Sequence, residues 1–180
     1  MSENEKRTPP PFIQFLFGLS PERDRGVFAD LRRGFSKATE MYAWPHIGRF
    51  CRLNDAKNRV VYQTIAACYA TNPKNDSTEW SNFGNAAKRL AEGDRNGERA
   101  SSFDAAFRRL LACRTAVEVC SHLKKFALAM KAKDVAAPWE SLYWDLLRWD
   151  DDVKARWAAR YWDVPREVAD VASDDEGGDE

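Results

Sequence analysis

The sequence predicts an all-α protein, a two-lobed helical bundle, on the basis of three observations. Apolar residues recur at intervals of three and four, the spacing of a helix face, rather than at intervals of two. Segments rich in proline, glycine and asparagine separate these stretches. With 180 residues the chain is long enough to bury a substantial core or to form two small lobes.

The clearest linker is the segment 92–98, which is rich in glycine and charge, and we expect the boundary between the lobes there. The predicted organisation is a flexible N-terminal arm (1–11), an N-terminal helical lobe (12–95), a C-terminal helical lobe (96–166) and a disordered acidic tail (167–180).

The first lobe begins with a short apolar segment and then a helix that we expect to start at Ser20. Serine is a favourable N-cap, and Pro21 would occupy the first helical position, where its missing N–H costs nothing. A longer helix precedes the loop 72–77, and a short helix follows it, interrupted at Gly84. The predicted core stripes of these three helices are Val27, Phe28, Leu31 and Phe35; Val61, Ile65, Cys68 and Tyr69; and Phe83, Ala86, Ala87 and Leu90.

In the second lobe, one helix is predicted to end near Cys113. The next begins at Thr115, which forms a capping-box pattern with Glu118. The last helical region starts near Pro138 and is broken at 150–152, where aspartates favour a new helix N-terminus. The predicted core stripes are Phe103, Ala106, Phe107, Leu110 and Leu111; Val119, Leu123, Phe126 and Met130; and Leu142, Leu146, Trp149 and Val153.

Arginines outside these stripes are candidates for binding phosphate groups. Arg25 and Arg32 fall together on the flank of the first long helix, with Arg33 beyond them. Arg108 and Arg109 stand outside the apolar stripe of the first helix in the second lobe. Arginine binds phosphate bidentately, so such exposed pairs suit a polyanion. The alternative is an ordinary solvated helix face.

The helix that follows the capping box carries three lysines outside its core stripe. Lys124 and Lys131 share one flank, and Lys125 lies on the other. Val117 and Leu128 also point away from the stripe, which indicates a helix that is either buried on two sides or in contact with a partner.

The formal charge of zero conceals two regions of opposite sign. All 28 basic residues lie at or before Arg166, whereas seven of the 28 acidic residues follow it. The part up to Arg166 therefore holds 28 basic and 21 acidic residues, a net charge of +7. Such a charge attracts polyanions. The acidic tail has the opposite sign and either competes with an anionic ligand or only increases solubility.

The sequence contains no stretch of about 20 apolar residues, so it predicts no transmembrane helix. The first seven residues lack the apolar core of a signal peptide. We therefore expect a cytoplasmic protein with no membrane partner. The four cysteines form no CxxC pair, and we expect reduced, buried thiols.

The sequence predicts neither an enzyme nor a protein that requires a metal or cofactor. It contains no P-loop and no GxGxxG motif, and no serine or cysteine has a recognisable base. His46 and His122 are interpreted as ordinary half-buried residues; Cys120 and Ser121 beside His122 diverge from it on a helix. Asp145 and the aspartates at 150–152 could hold Mg²⁺, but helix capping explains them more simply.

Five of the seven tryptophans occur late in the chain, interleaved with arginines. Such aromatic residues could stack on unpaired bases. Core packing is the expected role of Trp149 and Trp157, which share one stripe, whereas Trp144 points away and is a candidate for a contact with another lobe or subunit.

Three motifs, in this order and spacing, resemble the CasB family. They are Arg23-Asp24-Arg25-Gly26 with Ala29-Asp30-Leu31-Arg32-Arg33; Phe107-Arg108-Arg109-Leu110-Leu111; and Leu142-Tyr143-Trp144-Asp145-Leu146-Leu147-Arg148-Trp149 with Val153-Lys154-Ala155-Arg156-Trp157-Ala158. CasB proteins form the small subunit of the type I-E CRISPR Cascade surveillance complex. The resemblance extends over about residues 12 to 162, and the acidic tail and proline-rich arm depart from it.

The resemblance implies an all-α protein without catalytic activity, present as two head-to-tail copies along the crRNA-bearing backbone. Its expected partners are the large subunit, the backbone subunits, the second copy, crRNA, and the target and displaced DNA strands. Nucleic-acid binding is carried over by motif to Arg25, Arg32, Arg33, Arg108 and Arg109. Lys124, Lys125 and Lys131 are added because of their charge and helix face. The alternatives are a helical scaffold that contacts only proteins and a magnesium-dependent nuclease.

Overall fold

The computed structural model describes residues 8–92 and 98–164. These residues form nine α-helices and no strand, with one isolated bridge between Asn75 and Ala137, which confirms the all-α prediction. The helices are α1 (Pro11–Gly18), α2 (Arg25–Arg33), α3 (Trp44–Ile47), α4 (Ala56–Thr71), α5 (Phe83–Glu92), α6 (Glu98–Ala112), α7 (Ala116–Ala132), α8 (Trp139–Leu147) and α9 (Asp151–Tyr161), with a 3₁₀ turn at Glu40–Tyr42 before α3.

Helix α4 is the central element of the fold. Asp55 caps its start by accepting hydrogen bonds from the Lys57 and Asn58 N–H groups, and every residue from Val61 to Thr71 is buried. A helix buried all round must be covered on several sides, and α2, α7 and α8 pack against α4. Against α8, the Tyr62 and Tyr143 hydroxyls share a hydrogen bond of 2.9 Å.

Helix α5 packs closely against α9, in a region that we call the α5–α9 junction (Phe83, Gly84, Asp145 and Trp157). A Cβ atom added to Gly84 would lie 2.1 Å from the Trp157 carbonyl oxygen, so only glycine fits there. The expectation that Gly84 interrupts a helix is therefore wrong. This glycine lies within α5 and permits the backbones to approach each other.

The helix stripes read from the sequence are confirmed in their main features. Most of the predicted residues are fully buried, and Val27, Phe35, Phe103, Leu111 and Trp149 are partly buried against the core. Helix α6 ends at Ala112, as expected, and Asp150 caps α9 by accepting the Val153 N–H at 2.8 Å.

The start of α2 and one hydrogen bond of the α7 capping box differ from expectation. The prediction that Ser20 caps a helix is wrong, because α2 begins at Arg25. The Ser20 N–H donates to Asp24 Oδ2 at 2.8 Å, and its hydroxyl donates to Glu22, so Ser20 belongs to a separate turn. At α7, Thr115 accepts the Glu118 N–H at 3.2 Å as predicted, but the Glu118 carboxylate accepts from the N–H of Arg114, not of Thr115.

Helices from both predicted lobes share one apolar core, in which α4 packs against α7 and α5 against α9. The predicted boundary near residue 95 lies outside the described residues, so the division at 95 stays a prediction. The same holds for the flexible arm at 1–11, of which 1–7 are not described, and for the acidic tail at 167–180.

Candidate nucleic-acid interface

All eight predicted nucleic-acid-binding residues are exposed to solvent. We call them together the basic surface, and they are Arg25, Arg32 and Arg33 on α2, Arg108 and Arg109 on α6, and Lys124, Lys125 and Lys131 on α7. Exposure leaves these charged groups available to a ligand.

The two arginines at the end of α2 are held in place by neighbouring groups. Arg32 donates a hydrogen bond to the Ala70 carbonyl oxygen at 3.2 Å, at the end of α4. Arg33 donates to the Asp30 carboxylate at 3.3 Å and lies 4.2 Å from the ring centre of Tyr42. A guanidinium group has five N–H donors, so both arginines keep donors for a phosphate.

Helix α7 places Lys124 near the chain just after α2 and Lys125 near Arg109 of α6. The Lys124 ammonium lies 5.7 Å from the ring centre of Phe35, two residues beyond Arg33. On the other flank, partial burial and the nearby positive charge of Arg109 lower the pKa of Lys125. These two positive charges repel each other, and a bound phosphate would relieve that repulsion.

Arg108 faces the end of α9 rather than α7. It donates to Asp104 at 2.7 Å, and its guanidinium carbon lies 4.9 Å from a ring centre of Trp162. Trp162 also packs edge-on against Phe107, with ring centres 5.8 Å apart, and is 40% exposed. Sequence periodicity does not predict this contact, because no local pattern links Trp162 to a distant helix.

Apolar side chains lie among the lysines of α7. Val117 is 38% and Leu128 49% exposed, and both stand on the solvent-facing side of the helix. Of the two alternatives drawn from the sequence, burial on two sides is therefore excluded within the described fold. The other alternative, a contact with a partner, stays a prediction.

The aspartates considered for Mg²⁺ have other partners. The Asp145 carboxylate is buried and accepts hydrogen bonds from Trp157 Nε1 at 2.6 Å and from Arg156 at 3.1 Å, while burial raises the pKa of its carboxyl. Asp150 caps α9, and Asp151 accepts from Lys154 at 2.9 Å. In residues 8–92 and 98–164, no group of three or more His, Cys, Asp or Glu side chains could hold a metal ion.

The other reactive groups have structural surroundings as well. His46 Nε2 lies 3.1 Å from Asp30 Oδ2, and His122 is half-buried. Burial raises the pKa of the Cys120 thiol to about 12, which keeps it protonated at neutral pH. The four cysteines are free thiols, three of them buried and Cys51 half-buried.

The tryptophans divide as predicted. Trp157 is fully buried, and Trp149 packs against it with ring centres 5.0 Å apart and donates to the Cys113 carbonyl oxygen at 3.0 Å. Trp144 is 47% exposed.

None of the helices in the described part of the chain has the length and apolar character needed to span a bilayer.

The sequence matches one known protein family over most of its length. The family model for the CRISPR-associated protein Cse2 matches residues 27–162. The chain belongs to the Cse2 family. The matched residues include the whole basic surface except Arg25. As a member of the Cse2 family, also called CasB, the chain is a CRISPR-associated protein and a subunit of a Cascade complex.

Two solved structures share the fold. The crystal structure of CasB from M. ruber matches with a TM-score of 0.63 and 21% identity, covering 90% of this chain and 94% of that one. A Cse2-family CRISPR-associated protein from Thermus thermophilus matches with a TM-score of 0.65 and 21% identity, covering 86% of this chain and 99% of that one. A comparison with curated proteins finds no match.

Proposed function

We propose that this Cse2-family chain is a non-catalytic subunit of the type I-E Cascade complex, which stabilises the crRNA–target DNA R-loop and binds the displaced strand. The observation that carries the proposal is that all eight residues of the basic surface are exposed, with Lys124 near Phe35 just after α2 and Lys125 near Arg109 of α6. A net charge of +7 up to Arg166 adds a long-range attraction for polyanions.

Contacts of this strength suit the energetics of an R-loop. An RNA–DNA heteroduplex is about as stable as the DNA duplex that it replaces, so modest protein contacts shift the balance. Phosphate contacts made by arginine and lysine do not depend on sequence, as binding of an arbitrary displaced strand requires. The partly exposed indole of Trp162 beside Arg108 offers a surface on which an unpaired base could stack.

The proposed partners are the large subunit, the crRNA-bearing backbone subunits, a second copy of the chain, crRNA, and the target and displaced DNA strands. The proposed location is the cytoplasm. The eight exposed cations would serve the nucleic acids, whereas the exposed Trp144 is a candidate contact for a protein subunit.

The direct test measures binding of a fluorescent single strand of random sequence to the full chain at low and at physiological salt. We expect affinity to fall steeply with salt, with a slope of about −0.7 for each phosphate that is neutralised. The double substitution Arg108→Glu/Arg109→Glu should abolish this binding. A matched control, Arg52→Glu/Lys57→Glu, reverses two exposed charges near the start of α4 and should retain most of it.

A second measurement places the same variants in the assembled Cascade complex and follows the lifetime of the R-loop. We expect a shorter lifetime with Arg108→Glu/Arg109→Glu than with the α4 control. Equal R-loop lifetimes, together with equal single-strand affinities, would refute the proposed role of the basic surface. Cleavage of the DNA in Mg²⁺ by the purified chain would refute the non-catalytic assignment.

One observation favours a second candidate function, that of a helical scaffold which contacts only proteins. Val117 and Leu128 expose apolar surface on α7, where a partner helix could pack. A scaffold would assemble normally and show no salt-dependent affinity for DNA. Loss of Cascade assembly in Leu128→Ser, with unchanged single-strand binding by the chain, would assign this face to a protein partner.

A further inference from the structure

An exposed tyrosine adjoins Arg33 but is not part of the basic surface. Tyr42 is the last residue of the 3₁₀ turn before α3, and it is 49% exposed. The Arg33 guanidinium carbon lies 4.2 Å from the centre of the Tyr42 ring. The neighbouring Met41 is 55% exposed. This part of the fold therefore presents an aromatic ring to solvent directly beside a cation that is available to phosphate.

The chain between α2 and α3, which carries Tyr42, is attached to the central helix α4 by one buried side chain. Gln63 of α4 is 4% exposed and donates through Nε2 to the Gly34 carbonyl oxygen at 2.8 Å and to the Glu40 carboxylate at 3.0 Å. The Gln63 side-chain oxygen accepts from Trp44 Nε1 at 3.2 Å. These three hydrogen bonds fix the beginning, the 3₁₀ turn and the end of this connection.

Two further hydrogen bonds hold the turn against the end of α2. The Thr39 hydroxyl donates to the Arg33 carbonyl oxygen at 3.1 Å, and the Tyr42 N–H donates to the Thr39 carbonyl oxygen at 3.2 Å. Arg33 and Tyr42 are thus placed side by side before any ligand binds. A ligand that contacts both residues therefore pays little of the entropy cost of ordering them.

The two acidic residues that adjoin this pair already have partners. Asp30 accepts a hydrogen bond from Arg33 at 3.3 Å and lies 3.1 Å from His46 Nε2. Glu40 accepts from Gln63 and lies 3.7 Å from an Arg59 nitrogen. Each carboxylate is thus opposed by a hydrogen-bond donor of the fold, which limits its repulsion of a phosphate bound at Arg33.

An aromatic ring beside a guanidinium group suits one chemical class of ligand, a nucleotide whose base is unpaired. The guanidinium group can bind the phosphate, and the ring can stack on the base. In a duplex the faces of each base are covered by the neighbouring base pairs. A duplex can therefore use Arg33 but not the ring of Tyr42.

We propose that Tyr42 is a further nucleic-acid contact, which stacks on an unpaired base of the strand that Arg33 holds by its phosphate. This inference rests on the proposed function, since it concerns the same surface. The eight cations bind phosphates, which single and double strands share. Tyr42 adds a contact that only a single strand can make, so it favours an unpaired strand over a duplex.

The test measures the affinity of the full chain for three fluorescent probes of equal length: oligothymidine, an abasic single strand and a DNA duplex. Tyr42→Ala should weaken binding of oligothymidine by about 5- to 100-fold, the usual range for loss of one stacked base. It should leave the affinities for the abasic strand and the duplex unchanged. Tyr42→Phe should bind oligothymidine like the wild type, because stacking requires the ring and not the hydroxyl.

Two control variants separate stacking from charge and from general exposure. Arg33→Gln should weaken binding of all three probes and reduce the salt slope on the single strands by about 0.7, because one phosphate contact is lost. Trp144→Ala removes an aromatic residue of similar exposure, 47%, on α8 and should leave all three affinities unchanged.

The outcomes separate this inference from the proposed function. If Tyr42→Ala binds oligothymidine as tightly as the wild type, or loses equal affinity for oligothymidine and the abasic strand, stacking by Tyr42 is overturned. Salt-dependent binding of oligothymidine by the wild type would then still support the proposed function. Failure of the wild type to bind any probe at low salt would contradict nucleic-acid binding by the chain, and this inference with it.

Discussion

Glycine and tryptophan have different surroundings in the α5–α9 junction and beside the basic surface. Gly84 in the junction faces the Trp157 carbonyl oxygen so closely that no Cβ fits, whereas a Cβ on Gly26 of α2 would have no atom within 4 Å apart from its chain neighbours and its own helix backbone. Trp157 is fully buried in the junction, whereas Trp162 near Arg108 is 40% exposed. Dense packing defines the first region, and accessible charge defines the second.

This contrast indicates how substitutions in the two regions should differ. In the junction a lost or added atom changes packing, so the free energy of unfolding should change at any salt concentration. On the basic surface a lost charge should change mainly the affinity for polyanions, and that change should depend on salt. Variants in the two regions should therefore separate effects on stability from effects on binding.

Trp157→Ala should have the largest effect on stability. Its side chain packs on Phe83 with ring centres 4.9 Å apart and donates to Asp145. Removing a buried tryptophan typically lowers the free energy of unfolding by about 3–5 kcal/mol. Urea unfolding monitored by circular dichroism measures this loss. The control Trp144→Ala, at a 47% exposed site, should cost about 1 kcal/mol or less; similar losses would contradict the contrast.

The same glycine substitution should have opposite signs in the two regions. In a helix, alanine is favoured over glycine by about 0.5–1 kcal/mol, so Gly26→Ala should leave stability unchanged or raise it slightly. Gly84→Ala should lower the free energy of unfolding by about 1–3 kcal/mol, because the added Cβ forces α5 and α9 apart. Denaturant midpoints of the two variants measure these changes in stability. An increase in stability in Gly84→Ala would refute the close packing of α5 against α9.

The carboxylates of Asp76 and Asp145 should affect the pH dependence of the free energy of unfolding in opposite directions. Although burial alone raises the pKa of Asp76, hydrogen bonds from Thr78, Arg89 and Ser81 hold this pKa well below its usual range. Asp76 therefore contributes stability above the unfolded-state pKa, and this stability is lost as the pH falls. Burial instead raises the pKa of Asp145, so its contribution is greatest at low pH and is lost as the pH rises through the folded-state pKa.

Consequently, Asp76→Asn should flatten the rise of stability with pH in the acid range, and Asp145→Asn should steepen it. Urea unfolding of both variants and the wild type between about pH 2 and pH 7 measures these slopes. Slopes that change in the same direction would show that the two carboxylates have similar surroundings.

The smallest expected effect lies on the basic surface. Burial is the larger cause of the lowered pKa of Lys125, and the charge of Arg109 is the smaller cause. Arg109→Gln should therefore raise this pKa only part of the way to the ordinary lysine value. An NMR titration of the Lys125 side chain detects the change. The Arg108 side chain is directed toward Trp162, so Arg108→Gln should leave the pKa of Lys125 unchanged. An equal shift of this pKa in both variants would contradict a specific effect of Arg109 on Lys125.

The helical class, the core stripes and the exposure of the eight basic residues can be predicted from the amino-acid sequence. These properties depend on local geometry, because a helix spaces its side chains regularly and charged side chains stay in water. Thus Val119 and Leu123 are buried on α7, whereas Lys124 and Lys125 are exposed, as their spacing predicts.

Contacts between these features, in contrast, depend on how the helices pack in three dimensions. The contacts of Lys124 with Phe35 and Arg108 with Trp162, and the fit of Gly84 against Trp157, join residues on different helices that are far apart in the chain. Their positions depend on the angles and distances at which helices pack, which arise from the shapes of many side chains together. Periodicity indicates which face of a helix is buried but not which neighbour covers it.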